Sequence, residues 1–261
     1  MAWVDITDWF ADLVRGPEVE CRIDVGAFLI AAHARRDLDI GEQLARLDEL
    51  TVGCATPTVD GLCENLFDNL GFSGDSEDYS HPRNSLLDIV LDRRRGIPIT
   101  LSVVFIEVGR RLGLQLDGVG MPGHFLVRDH ADEHTFIDPF HSAVLDRDGC
   151  EKLFAALHGP DTPFNQSFLD PVGPRAILAR MLTNLQRCYA GRGDRAGALW
   201  AQCLRVVIPG ATVGDRRQLA ALLAINGRFD ASARELEAIA EDGWGGERDR
   251  IAAAAMRAKL N

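Results

Sequence analysis

Long apolar runs are missing from this chain, and no stretch reaches the roughly 18 uninterrupted apolar residues that a membrane span needs. The opening "MAWVDITDWFADLVRG" also lacks the basic region and long apolar core of a secretory leader. Both absences point to a cytoplasmic protein. Paired cysteines are missing too. Cys21, Cys54, Cys63, Cys150, Cys188 and Cys203 contain no C-x-x-C spacing, which removes a zinc ribbon and a dithiol redox motif. In a reducing compartment they read as reduced, partly buried thiols. Nor is there a surplus of positive charge. With 28 Lys plus Arg against 39 Asp plus Glu, the net charge of -11 disfavours nucleic acid and anionic membranes as partners.

What is present is an ordinary globular composition, 46% hydrophobic and 26% charged in 261 residues. That length suits one large domain, or a domain of about 150 residues with a smaller companion. From Asp5 to about Leu70 the apolar spacing is helical, in "VGAFLIAAHARR", "IGEQLARLDELTVG" and "TVDGLCENLFDNLG". "GFSGDSEDYSHPRN" reads as a surface loop. Asn84 and Ser85 then read as caps for a helix "LLDIVLDRRR" that ends at Gly96. In "GIPITLSVVFIEVGRRLGL", Pro98 suits the first turn of a helix and Gly113 its close; the segment is almost wholly apolar up to Glu107 and therefore central. "QLDGVGM", "HFLVRD" and "HTFIDPF" are short β-prone runs, as in an antiparallel meander. Helices followed by strands indicate an α+β domain.

The character changes near Pro174. Two amphipathic helices with a turn at "GRGD" are followed by a second pair, and Gly193 and Gly227 lie 34 residues apart, the period of tetratricopeptide hairpins. A final helix, "ERDRIAAAAMRAKL", completes a short array that leans on the first domain. The predicted division is residues 1–170 and 171–261.

His124 and Asp138 carry the first candidate chemistry. A histidine can act as general base, and a carboxylate on its other ring nitrogen fixes the tautomer and stabilises the cation. Neighbouring antiparallel strands would let the two face each other. The alternative is structural: His124 follows the "MPG" turn as a satisfied, partly buried histidine, and Asp138 caps the turn at Pro139.

"NSLLDIVLDRRRGIPITLSVVFIEVGRRLGL", "GVGMPGHFLVR" and "FIDPF", taken in that order, resemble the bacterial SirB-type family, a transglutaminase-like core followed by tetratricopeptide repeats. The resemblance implies a papain-like architecture, with a Cys at the start of a buried helix and a His and an Asp on successive strands. It places His124 and Asp138 on the family's His and Asp. Active members carry Gly-x-Cys where this chain has Gly96, Ile97 and Pro98. Proline offers no nucleophile, so thiol acyl transfer cannot run from that position. Thr100 and Ser102 lie in the first turns. Ser102, a whole turn on, sits about 5 to 6 Å away, too far for atoms that must approach within about 3.5 Å, and reads as bonding back to a helix carbonyl.

Arg93, Arg94 and Arg95 stand just before that helix. They either receive a carboxylate or phosphate at its N-terminus or complement the dipole of the preceding helix. His124, His130, His134 and His141, with Asp138, have ligand chemistry. His130 and His134 belong to the turn "DHADEH", whose tip should point away from the strand pair, so they read as exposed loop histidines and no metal or cofactor is expected. The combined expectation is a transglutaminase-like protein without acyl-transfer turnover that binds a protein or peptide. His124, Asp138, Arg93–Arg95, Ser102 and His141 line its candidate cleft. The competing expectation is a hydrolase or acyltransferase in which His124 activates water or a hydroxyl.

Overall fold

Proline 98 forfeits no hydrogen bond in the first turn of a helix. In the computed structural model, which describes residues 3–242 and 246–260, a helix begins at that residue. The chain divides into two compact units, one running from Glu18 to Met181, the other formed by the chain up to Pro17 and from Leu182 onward. α1 (Trp3–Arg15) belongs to the second unit. The first holds α2 (Ile23–Ala34), α3 (Ile40–Glu49), and α4 (Val59–Cys63), which runs on as a π-helical stretch, Glu64–Asn69. Next come β1 (Ser73–Gly74), α5 (Leu87–Arg93), β2 (Arg95–Gly96) and α6 (Pro98–Arg111). β3 (Leu116–Val119), β4 (Leu126–Asp129), β5 (Phe136–Asp138), β6 (Ala143–Leu145), α7 (Arg147–His158) and β7 (Pro171–Val172) follow.

β3 to β7 form one sheet in the order β6-β5-β4-β3-β7, with every neighbouring pair antiparallel. β1 and β2 form a separate two-stranded parallel pair. The mixture of helices and sheet is α+β, and the strands are the meander predicted from the sequence. α6 packs on β3 and β4. Every residue from Pro98 to Gly109 is buried, which follows from an apolar surface on all sides of the helix. α2 is likewise buried from Asp24 to His33. Each large aliphatic or aromatic side chain sealed there contributes about 1.5 to 3 kcal/mol relative to exposure.

The polar ends of these two helices are tied by ion pairs. Arg111 of α6 reaches Asp24 of α2 at 2.8 Å, Glu107 at 3.0 Å and Asp48 of α3 at 2.5 Å. Burial pushes Glu107 up, and the charge of Asp24 adds to that. Asp24 feels a burial penalty too, but hydrogen bonds from Arg22 and Arg111 outweigh it and hold its carboxyl below the usual range.

Three local expectations need correction. Asn84 and Ser85 do not cap α5. Asn84 sits in a short 3-10 turn, Pro82–Asn84, where its amide donates to the Asp78 carbonyl and its side-chain oxygen accepts from Arg93; Ser85 Oγ is sealed without a partner. α5 does not run to Gly96 but ends at Arg94, which takes the left-handed conformation, φ 55°. The segment read as a surface loop is in part interior, because Asp75 and Asn84 are buried and β1 pairs with β2.

The predicted boundary at 170/171 differs from the division at 181/182. α8 (Pro174–Gly191) begins inside the first unit, where Leu178 fills the space that the bare Cα of Gly26 leaves, only 2.6 Å from where a Cβ would sit. In the second unit α8 continues into α9 (Arg195–Val207), α10 (Val213–Ile225), α11 (Phe229–Glu241) and α12 (Glu247–Ala258). Gly193 and Gly227, 34 residues apart, both take positive φ, 74° and 75°, at the turns before α9 and α11. α9 and α11, and likewise α10 and α12, also start 34 residues apart.

Candidate functional site

His124 sits two residues before β4, at the end of the "MPG" turn. Gly123 has φ 77°, a conformation that suits glycine, and the His124 N–H closes the turn on the Met121 carbonyl at 3.0 Å. Arg180 of α8 donates to the carbonyls of Met121 at 3.1 Å and His124 at 2.6 Å. The turn is thereby clamped from both sides. Arg180 escapes the sequence reading, because an arginine on an amphipathic helix carries no local sign of a long-range backbone contact.

Asp138 ends β5, next to β4 in the sheet. Its Oδ1 accepts from His124 Nε2 at 2.9 Å and from the Phe140 and His141 N–H groups at 3.0 and 3.4 Å; its Oδ2 accepts from His141 Nδ1 at 2.6 Å. Asp138 therefore caps the turn at Pro139, as the structural alternative expects, and at the same time hydrogen-bonds the His124 ring. His124 and Asp138 are both buried, whereas the His141 side chain is 53% exposed. Burial alone would raise the Asp138 pKa. Hydrogen bonds from both histidines and their charge outweigh it and hold the carboxyl below the usual aspartate range.

Because Nε2 of His124 donates to Asp138, the neutral ring leaves the Nδ1 lone pair for a proton. Nδ1 makes no hydrogen bond to the described residues and is not among the unpartnered atoms sealed from solvent. Around the pair lies an aromatic cluster. The rings of His124 and His141 are 5.5 Å apart, Phe140 lies 6.0 Å from His124, and Tyr79 packs edge-on to Phe140 at 5.8 Å. The Phe140 ring fills the space over Gly74, so that a Cβ there would meet it at 2.6 Å.

No cysteine, serine or threonine among the described residues hydrogen-bonds the His124 ring. Thr100 Oγ1 serves the start of α6, accepting from the Ile97 N–H and donating to the Asn84 and Ile97 carbonyls. Ser102 is buried, but its Oγ has no partner, which overturns its predicted bond to a helix carbonyl. Cys150 senses the charge of Asp138, yet burial, with Asp146 and Asp138 adding, pushes its thiol up to about 12. It packs in an apolar cluster with Met121, Phe136 and Phe154. Burial likewise takes Cys63 to about 12 and raises Cys21 and Cys203.

The three arginines go three ways. Arg93 donates to Asn84 at 2.6 Å and to buried Asp75 at 2.7 Å. Arg94 donates to the Leu70 carbonyl at 2.8 Å, and Arg95 is exposed on β2. The turn histidines stay outside the cluster. His130 is exposed with Nδ1 3.5 Å from Asp117, and His134 is exposed. His141 joins His124 and Asp138, and the donor atoms of the three lie within 4.8 Å of one another.

A buried helix packed on an antiparallel sheet that carries a His–Asp pair defines a transglutaminase-like domain. A family model described as the Transglutaminase-like superfamily matches residues 30–183, and the chain belongs to that superfamily. It is 42% identical over 149 residues to a UPF0162 protein of Xylella fastidiosa (strain 9a5c), covering 54% of this chain and 53% of that one. A UPF0162 protein of Pseudomonas aeruginosa is 34% identical over 170 residues, 64% of this chain and 62% of that one. Human F-box only protein 21 is 32% identical over 142 residues, 49% of this chain and 21% of that protein. The chain spans about half the length of the UPF0162 relatives it matches. No solved structure matches it. No helix among the described residues is long and apolar enough to cross a membrane.

Proposed function

We propose that this chain is a SirB-type member of its superfamily that lacks the nucleophilic thiol and acts in protein interaction or regulation rather than in acyl transfer. One observation carries the reading: Pro98 stands where the resemblance puts the nucleophilic cysteine, and no thiol or hydroxyl among the described residues hydrogen-bonds the His124 ring. A base and its orienter without a nucleophile cannot form an acyl-enzyme. The 34-residue period of the helices in the second unit supports a tetratricopeptide-type array, whose groove would seat a protein or peptide segment. The negative net charge and the missing apolar spans favour a cytoplasmic setting without nucleic-acid or membrane partners.

A second reading has its own support. The ionised Asp138 and the unbonded Nδ1 of His124 suit a base that activates water or a substrate hydroxyl. One experiment separates the two. The protein is incubated with glutamine peptides and a labelled primary amine, and in parallel with amide and ester substrates. No amine incorporation, no covalent acyl-enzyme and no hydrolysis are expected, with partner capture unchanged in His124→Ala and Asp138→Ala. Turnover that both substitutions abolish without loss of folding would replace the first reading by the second.

A further inference from the structure

We infer that His124 Nε2, a carboxylate oxygen of Asp138 and His141 Nδ1 form a binding site for one divalent transition-metal ion of the Zn2+ class. The inference rests on the second reading's view of the cleft as retained rather than vestigial, but its readout is bound metal and not turnover.

The donors are already gathered. Nε2 and Nδ1 lie 2.9 and 2.6 Å from the two oxygens of one carboxylate, and the donor atoms all fall within 4.8 Å of one another. Tetrahedral Zn–N bonds of about 2.0 to 2.1 Å put two nitrogens on one ion about 3.4 Å apart. A shift of at most about 1.4 Å by the half-exposed His141 ring covers the difference. The ligands are held independently of any ion: Asp138 by the Phe140 and His141 N–H groups, His124 by the turn that Arg180 clamps.

The proton balance is also favourable. In the metal-free protein each imidazole donates to Asp138 from the nitrogen that would bind the ion. On binding, each neutral ring moves its proton to its other nitrogen, His124 Nδ1 or His141 Nε2. Neither makes a hydrogen bond to the described residues, so the arriving protons displace none there, and the two imidazole–Asp138 hydrogen bonds that are lost are exchanged for metal–ligand bonds. Two imidazoles and one carboxylate suit Zn2+ and its first-row neighbours, whereas Ca2+ and Mg2+ prefer oxygen. Three protein ligands leave a position for water. His130 and His134, in the exposed turn, take no part.

The test uses the full chain, stripped with chelator and titrated with Co2+ followed by absorbance, then with Zn2+ in competition. One equivalent of Co2+ should bind with d–d bands, no thiolate charge-transfer band should appear, and one equivalent of Zn2+ should displace it. His141→Ala should weaken Co2+ at least tenfold, since losing even an outer partner of a ligand costs about 10- to 100-fold. His141→Gln, which retains a polar side chain, should show the same loss, and a double His130→Ala/His134→Ala variant should bind normally. No bound Co2+, wild-type affinity in both His141 variants, or a thiolate band would overturn the proposal. None of these results bears on whether the protein lacks acyl transfer, which the amine-incorporation assay reads separately.

Discussion

His124 and Asp138 meet at 2.9 Å with both side chains buried, so the pair that orients a candidate base is also a polar contact of the interior. In such a place an unmade hydrogen bond costs more than a made one gains, because the stranded group has lost its water.

That asymmetry sets the first prediction. Asp138→Asn should lower stability by about 1 to 3 kcal/mol at neutral pH, the scale for disturbing a buried hydrogen-bonded group. The folded carboxyl titrates below its ordinary value of 3.8. Its contribution is therefore full above the unfolded value and is lost as pH falls through the folded one. Urea unfolding at a series of pH values should show the gap between wild type and variant constant down to about pH 4 and shrinking below it. A gap that widens with acid would contradict this sign.

Thr100 and Ser102 make opposite predictions from one helix. Thr100→Ala removes an oxygen that accepts from Ile97 and donates to Asn84, and should cost about 1 to 2 kcal/mol, the scale of a lost cap. Ser102→Ala removes a buried hydroxyl that bonds nothing, and alanine is the better helix former. It should leave stability unchanged or raise it by about 1 kcal/mol. Thermal melts of the two variants check both directions; a clear loss on Ser102→Ala would mean that its hydroxyl has a partner after all.

Contacts made by neighbours in sequence were legible, and contacts that cross the chain were not. Pro98 and Gly113 mark the bounds of α6 because helix ends are written in local chemistry, and the strands around His124 and Asp138 follow from β-prone runs broken by turns. The 34-residue spacing of Gly193 and Gly227 shows as two left-handed turns. Asp75 lies in a Gly-, Ser- and Asp-rich segment that looks solvated until Arg93, 18 residues on, draws it inside. Arg180 reaches back 56 residues to the His124 carbonyl, and no pattern of spacing announces that. His141 was legible as a residue type, but its convergence with His124 on Asp138 depends on a turn geometry that the sequence leaves open.

The basic run gives a graded series. Arg93→Ala leaves the buried Asp75 carboxylate, among the described residues, with Arg83 at 3.7 Å and the Asp78 N–H. Uncompensated buried charge costs about 3 to 5 kcal/mol; with Arg93 a quarter exposed, about 2 kcal/mol is expected after screening. Arg95→Ala, on an exposed side chain, should stay within about 0.5 kcal/mol. Chemical denaturation checks the series. Equal effects at the two positions would mean that the arginines act as one anion site rather than one structural strut and one solvated side chain.

Thiol reactivity tests the absence of a cysteine nucleophile directly. A thiol at about 12 is almost entirely protonated at neutral pH, and the thiolate is the reacting species. Iodoacetamide at neutral pH should therefore leave Cys150 and Cys63 unmodified in the folded protein, while both react fully once it is unfolded. Mass spectrometry of the digested protein reads each site separately. Pro98→Cys supplies the contrast, because it would place a thiol at the start of α6, where helix N-termini lower thiol pKa values. The new thiol should label faster than Cys150 and Cys63, and a slower rate on His124→Ala in the same background would show that His124 reaches that position. Rapid labelling of native Cys150 would show that the wild-type chain already holds an activated thiol within reach of the charge of Asp138, and the reading without a nucleophilic thiol would then fail.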